Sequence, residues 1–430
     1  MFKRLVPYRS VLLRVGGILL IALYVILFSI PRKDKVTESN QEIDIPLSIL
    51  NIDANIIAFK PKAQLSDRFY FFVNRAVKGQ EPLRLLHIGD SHIQADFFSG
   101  ETRRLLSNWL LDDETSRGFT FPYQIAGTNN PDDYNVSWKG EWKRIRPIDS
   151  QTNELLGVAA IAVSTYDKNS EFTLTLNRQQ VNPCSFDYVK IYFSSTNSSV
   201  APFIKNDGEL IEVSKGFVAF KLKNPNDSLT IGLTWNGNTQ VDTFTLFGME
   251  LLNSQSRLFY HAAGVNGANV GTFLRSQNFC EHLSQLNPHV VIVSLGTNDA
   301  YSDVFNSQIF AKNLRQLVTN IQATLPQSIV ILTTPGDHLI NRERKNEALN
   351  EVQDQIYNLA AEMNCGVWDF YQVMGGAGSI NSWAQMGMCS NDMLHFNRKG
   401  YQMQGALLFD ALVKLSGFEH DDIAKHIANE

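Results

Sequence analysis

Three apolar runs set the limits on this fold. Residues 83–88 (LRLLHI), 289–296 (HVVIVSLG) and 328–335 (SIVILTTP) are short, nearly continuous and rich in Val, Ile and Leu. Each is followed by a stretch with apolar residues at helical spacing, at 93–111, 309–323 and 343–363. A strand that is apolar on both sides must be covered on both sides, and strands that alternate with helices run parallel. The expectation is an α/β protein built on a buried parallel sheet, completed by GVWDF at 366–370 and a last helix from about Lys399.

Between the first and second units the pattern changes. From about 118 to 252 the chain shows alternating runs such as EFTLTLN, FDYVKIYF, GFVAFKLK and SLTIGLTW, separated by the turn signals NDG, NPND and NGN. That segment reads as a β-sandwich. The domain plan is therefore an anchor at 1–35, a tether at 36–65, the first part of the α/β domain at 66–117, an inserted β-sandwich at 118–255 and the second part of the α/β domain at 256–430.

The anchor rests on residues 11–30, VLLRVGGILLIALYVILFSI, which contain one charge, Arg14. As a helix rising about 1.5 Å per residue it would span about 30 Å, the thickness of a bilayer's hydrocarbon. No small-x-small site precedes Pro31, so the expectation is a retained transmembrane helix and not a cleaved signal. Lys3, Arg4 and Arg9 stand before the span, and Arg32, Lys33 and Lys35 follow it, so charge gives little orientation. A long folded part after a short N-terminal tail favours an extracytoplasmic location for that part. Net charge is −5, with both signs scattered and no basic stripe, so nucleic acid is not an expected partner.

The chemistry-bearing residues cluster where strands hand over to helices. In an open parallel sheet, ligands collect at the carboxyl ends of strands. Ser91, in GDSH, stands at such an end; taken alone it reads as the cap of the next helix before it reads as a nucleophile. A serine nucleophile needs a base and a group to orient it. NDMLHFNRKGY near the C-terminus supplies Asp392 three residues before His395, close enough for the carboxylate to reach Nδ1 and leave Nε2 for Ser91. Acyl transfer also needs donors for the oxyanion. Gly267 in AAGVNGAN offers a backbone N–H, Asn298 in SLGTNDA a side-chain amide, and Ser91 its own N–H.

In this order, GDSH, GVNGA, GTND and DMLH resemble the SGNH (GDSL-type) hydrolase superfamily, over about residues 83–115 and 256–416. The resemblance implies a three-layer α/β/α flavodoxin-like fold, with Ser91 as nucleophile, Asp392 and His395 as the acid–base pair, and Ser91, Gly267 and Asn298 as the oxyanion hole. It implies no metal and no organic cofactor. His92 departs from the Leu of many relatives, and GDSH is similar to the branch of bacterial peptidoglycan O-acetylesterases. Ser91 and Gly267 are 176 residues apart where a β-α-β unit needs about 30. Enzymes of that branch are similar in carrying a carbohydrate-binding-like β-sandwich at this point.

The implied function is a membrane-anchored serine esterase of the bacterial periplasm, removing O-acetyl groups from a cell-wall polysaccharide, peptidoglycan first. An O-acetyltransferase using the same triad and a non-catalytic glycan-binding protein are the alternatives. Trp138, Trp142, Tyr192 and Trp235 of the insertion read as core residues before sugar platforms, and His87, Asp90 and His261 as structural groups. Cys184, Cys280, Cys365 and Cys389 lack the close spacing of a metal or redox site and read as free thiols. No HExxH, Walker A loop or GxGxxG is present, and the tail EHDDIAKHIANE reads as a solvated helix. The sequence offers no chemical role for His92.

Overall fold

The computed structural model describes residues 47–418, apart from 60–61, 147–154, 178–183, 197–198, 237–241 and 302–303. The expected transmembrane helix at 11–30 and the C-terminal tail lie outside the described residues. Among the described residues, no helix is long and apolar enough to cross a membrane. The described residues from Ile49 onward form one compact unit.

The chain enters through β1 (Ile57–Ala58) and α1 (Lys62–Val77), then β2 (Leu83–Gly89), a short α2 (Ser91–Gln94) and α3 (Phe97–Trp109). A run of antiparallel strands follows: β3 (Gly118–Thr120), β4 (Tyr134–Lys139), β5 (Lys143–Ile145), β6 (Ala162–Thr165), β7 (Glu171–Leu176), β8 (Phe186–Ser195) and β9 (Val200–Ile204). It continues with β10 (Gly208–Ser214), β11 (Phe217–Asn226), β12 (Ser228–Trp235) and β13 (Phe244–Leu252). The α/β rhythm resumes with β14 (Leu258–Gly264), α4 (Val270–Leu274), α5 (Phe279–Leu286), β15 (Val290–Ser294), α6 (Thr297–Ala300), α7 (Ser307–Thr324) and β16 (Ile329–Thr333). A small hairpin of β17 (Leu339–Ile340) and β18 (Arg344–Lys345) precedes α8 (Ala348–Met363), β19 (Gly366–Trp368), α9 (Phe370–Val373), α10 (Ser379–Gln385) and α11 (Arg398–Ser416).

The central sheet has the order β1-β19-β16-β15-β2-β14. All its pairs are parallel except the edge pair of β1 with β19. Every residue of β16 and all but one of β2 and β15 are buried, as the unbroken apolar runs require. Helices α1 and α3 pack on α11, while α7 packs on α4, α5 and α8, giving two helix groups for two sheet faces. Strand β2 is the first of the parallel strands in the chain but lies between β14 and β15. The chain passes from β2 to β14 on one side and then to β15 on the other, and the carboxyl end of β2 is the switch point where a crevice opens. Gly89 there lies in register with Gly264 of β14 and Ser294 of β15.

The strands of the insertion form two antiparallel sheets. One runs β10-β11-β8-β13-β6-β5 with β3 added on β13, and the other β4-β7-β12-β9. Alternation explains the second: Phe172, Leu174 and Leu176 of β7 and Leu229 and Ile231 of β12 are buried. Strand β13 instead buries all nine residues, because the α/β part covers it as well. Phe247 of β13 and Tyr192 of β8 both pack on the His282 ring of α5, and His261 of β14 accepts a hydrogen bond from the Phe119 N–H of β3 at 3.1 Å. The insertion shares a hydrophobic core with the sheet that carries it.

Of the four aromatics singled out from the sequence, Tyr192 is fully buried, Trp142 packs edge-on against Phe172 and Phe244, and Trp235 lies partly buried against the core. Only Trp138 is exposed, at 46%. Cys184, Cys280, Cys365 and Cys389 are free thiols.

Three elements differ from expectation. The helix expected at 93–111 breaks at Asp96, which adopts φ 55° and receives hydrogen bonds from Ser99 and Arg103. The helix expected from 343 starts at Ala348, because Arg344 and Lys345 pair with β17. Strand β19 stops at Trp368, because the Asp369 side chain caps α9 through the Gln372 N–H.

Candidate active site

Ser91 is not the cap of its helix. That position belongs to Asp90, whose Oδ1 accepts the His92 N–H at 3.0 Å. Ser91 is the first helical residue, and its Oγ is free to donate to His395 Nε2 at 2.8 Å. His395 Nδ1–H in turn donates to Asp392 Oδ2 at 2.7 Å. The three side chains come from opposite ends of the chain and form one unbroken line.

The segment that brings Asp392 and His395 there is a tight turn and not a helix. Asp392 Oδ1 accepts the backbone N–H groups of Leu394 and His395 at 3.0 and 2.9 Å, and Met393 adopts φ 55°. An isolated bridge between Cys389 and Phe396, and a bond from Ser390 N–H to the His395 carbonyl, close the turn. The cap of the following helix α11 is Asn397, which accepts the Gly400 N–H. Burial works to raise the Asp392 carboxyl, but the bonds from His395 hold it below the usual carboxylate range.

The expected oxyanion donors stand in two different conditions. Gly267 is exposed at φ 76°, a conformation that suits glycine, and its N–H has no acceptor among the described residues. The Asn298 amide nitrogen is already engaged: it lies 2.9 Å from the Ala268 carbonyl and 3.3 Å from Asp90 Oδ2. The two loops are held against each other by Asp299, which accepts the Val270 N–H at the start of α4. Burial pushes the Asp299 carboxyl up to about 7.

Below the site, His87 is fully buried between the Tyr260 hydroxyl at 2.8 Å and Ser294 Oγ at 2.7 Å. Burial drives it down to about 3, so it is a neutral structural ring. Among the described residues, no group of three or more His, Cys, Asp or Glu side chains is arranged to hold a metal ion.

Sequence reasoning missed the rim. Gln94 Oε1 accepts the Asn266 N–H at 2.7 Å, and Gln94 Nε2 donates to Thr128 Oγ1 and the Asn129 carbonyl. The Asn266 amide reaches Thr128 and Asn129 as well. On the other side Arg398 pairs with Asp132 while its guanidinium lies over the Phe97 ring at 4.4 Å. A loop of the insertion thus runs from the Gly267 turn to the start of α11. The only signal in the sequence was the polar string TNNPDD, which reads as an ordinary loop.

Packing behind Ser91 is close. A Cβ on Gly264 would come within 2.6 Å of the Gln94 N and 2.7 Å of the Asp90 carbonyl oxygen, both backbone atoms. Gly264→Ala must therefore push α2 away from β14. A displacement on the order of 1 Å costs roughly 100-fold in catalysis. Turnover of a soluble acetyl ester by Gly264→Ala should fall by about that factor while the protein remains folded by circular dichroism. Wild-type turnover would show that α2 need not sit against β14.

Residues 227–403 match the GDSL-like lipase/acylhydrolase family. No curated protein matches the chain. Among solved structures, a peptidoglycan O-acetylesterase aligns with a TM-score of 0.68 and 21% identity, over 81% of this chain and 96% of its own. An acetyl xylan esterase aligns with a TM-score of 0.31 and 21% identity, over 36% of this chain and 81% of its own. A carbohydrate esterase family 2 enzyme plus carbohydrate binding domain from Corynascus thermopiles (Myceliophthora fergusii) aligns with a TM-score of 0.30 and 12% identity, over 65% of this chain and 100% of its own.

Proposed function

We propose that this chain, an esterase of the SGNH/GDSL hydrolase superfamily, removes O-acetyl groups from a cell-wall polysaccharide, with peptidoglycan as the substrate. The observation that carries the reading is the Ser91–His395–Asp392 line at the carboxyl end of β2. Ser91 Oγ attacks the acetyl carbonyl carbon while His395 Nε2 takes its proton. The oxyanion meets the N–H groups of Ser91 and Gly267 and the Asn298 amide, which gives up its longer contact to Asp90 as charge develops. His395 returns the proton to the departing sugar oxygen, leaving the acetyl group on Ser91. A water deprotonated by His395 then releases acetate and restores the serine. Asp392 keeps the His395 proton on Nδ1 and offsets the imidazolium charge. These steps need neither a metal nor an organic cofactor.

Support for a glycan comes from three directions. One similar solved structure is a peptidoglycan O-acetylesterase. The insertion's two antiparallel sheets fit a carbohydrate-binding-like sandwich, and its loop at Thr128, Asn129 and Asp132 borders the site with groups suited to sugar hydroxyls. The same reading puts the catalytic part outside the cytoplasm, tethered through residues 11–30, where cell-wall glycan is within reach.

Acetate release tests this directly. O-acetylated peptidoglycan should be deacetylated faster than acetylated xylan, and Ser91→Ala should release none from either. Faster release from xylan would replace peptidoglycan as the substrate. Transfer of acetyl to an added glycan without free acetate would replace hydrolysis by acetyl transfer.

A further inference from the structure

We propose that Asp90 and His92 form a charged positioning pair that pins the turn carrying Asp392 and His395 against the nucleophile helix. The pair rests on the proposed roles of Ser91 and His395 and gives a reason for the His in GDSH.

Asp90 is 1% exposed and stands at the junction of three segments. Its Oδ1 accepts both the backbone N–H of His92 at 3.0 Å and the Nδ1–H of the same residue at 2.8 Å, and its Oδ2 lies 3.3 Å from the Asn298 amide. The Leu394 backbone carbonyl, one residue before His395, also favours the charged form of the His92 ring. The His92 ring also stacks on the His395 ring, with centroids 5.1 Å apart and planes at 29°, and meets the Tyr401 ring edge-on at 5.7 Å. A leucine at position 92 can supply none of the polar contacts.

The contact with Asp90 sets the charge: an imidazole nitrogen 2.8 Å from a buried carboxylate oxygen is held as an imidazolium facing a carboxylate. Burial works against that charge, but the Asp90 carboxylate outweighs it and holds His92 above its ordinary value; Asp90 in turn is held below its own, against its burial, chiefly by His92. The other titratable groups that face the ring are Asp392 and His395 on the turn, Tyr401 on α11, and His338 after β16, which burial keeps neutral by pushing it down to about 4.

Pairing with Asp90 also answers an electrostatic objection. His395 must itself become cationic during acyl transfer, and a bare cation stacked beside it would oppose that step. With Asp90 bonded to His92, the neighbour is close to neutral as a pair, so the turn is held without penalising the His395 cation. The pair touches no reacting atom; it acts through the position of His395.

Two measurements test the pair. In protein labelled with 15N in histidine, assigned by comparison with His92→Gln, both His92 ring nitrogens should be protonated at pH 7, and Asp90→Asn should convert the ring to the neutral form. A neutral His92 in the wild type overturns the proposal whatever the enzyme's substrate is. For turnover of an aryl acetate, His92→Leu and Asp90→Asn should each lower kcat by roughly 100-fold, the cost of a displacement of about 1 Å. Their KM should stay within about twofold on the same reasoning. Wild-type kcat in folded His92→Leu overturns the positioning role. If Ser91→Ala were as active as the wild type, the assignment of the nucleophile would fail instead, and the nitrogen measurement would still judge the pair.

Discussion

Ser91→Ala should abolish acetyl-ester hydrolysis to the level left by binding and the oxyanion donors alone, a loss on the order of 10⁴–10⁶ in kcat. The geometry makes this the cleanest single change in the molecule. Ser91 Oγ donates only to His395, 2.8 Å away, so its removal deletes the proposed nucleophile and no bond that holds the fold. Asp90 caps α2, and Asp392 with the Ser390 contacts builds the turn, so neither element depends on the serine hydroxyl. The thermal midpoint should therefore stay within about 1 °C, the shift that a surface change of a few tenths of a kcal/mol produces. His395→Ala should lose nearly as much activity, and the double variant hardly more than either, because the two residues act as a unit. Additive losses would mean that His395 does not serve Ser91.

How much of this was legible in advance depends on the range of the interaction concerned. Ser91, Asp392 and His395 were found because each lies in a short string whose residue types suit the chemistry, and because their order along the chain suggested a common site. The parallel sheet was legible for a similar reason: β15 and β16 are apolar on both sides, and only one layered arrangement buries such strands.

What stayed hidden was set by partners far away in sequence. Asp96 reads as one polar residue in a helical pattern; its left-handed conformation follows from contacts with Ser99, Arg103 and Arg117 that no local period reveals. His92 has no role derivable from its own segment because the ring it stacks on, His395, belongs to the distant turn near the C-terminus, and no local pattern announces that contact. Asn298 reads from the sequence as a side-chain amide donor, and its engagement by Ala268 and Asp90 follows from segments that sequence does not join to it. The rim loop escaped notice because its role comes from touching Gln94 and Asn266, not from its composition.

The second large effect concerns the junction between the insertion and the sheet. Arg117→Met should destabilise the folded state by about 3–5 kcal/mol, the usual loss when one partner of a buried ion pair is removed. Arg117 is 3% exposed in its side chain and pairs with Asp96 at 2.9 Å and Asp133 at 2.5 Å, while Arg103 pairs with the same two carboxylates at 2.8 and 3.3 Å. Its guanidinium also lies over the Tyr134 ring at 5.3 Å. Two cations and two anions thus balance inside the protein, bridging α3, the approach to β3 and the approach to β4. Methionine fills the space but leaves two buried carboxylates with one cation. The effect has a definite pH dependence. Burial acts to raise the Asp96 carboxyl, but Arg103 and Arg117 outweigh it and hold it below the usual range. A depressed carboxylate contributes stability that is present above its unfolded pKa of about 3.9 and is lost as pH falls through its folded value. The stability gap between wild type and variant, read from urea unfolding, should therefore be full at pH 7 and narrow below about pH 4. Pairing Arg117→Met with Asp133→Asn should cost less than the sum of the two single changes, because the second removes a charge that the first left unpaired. A gap under about 1 kcal/mol at pH 7, or strict additivity, would show that the four charges do not hold the insertion to the sheet.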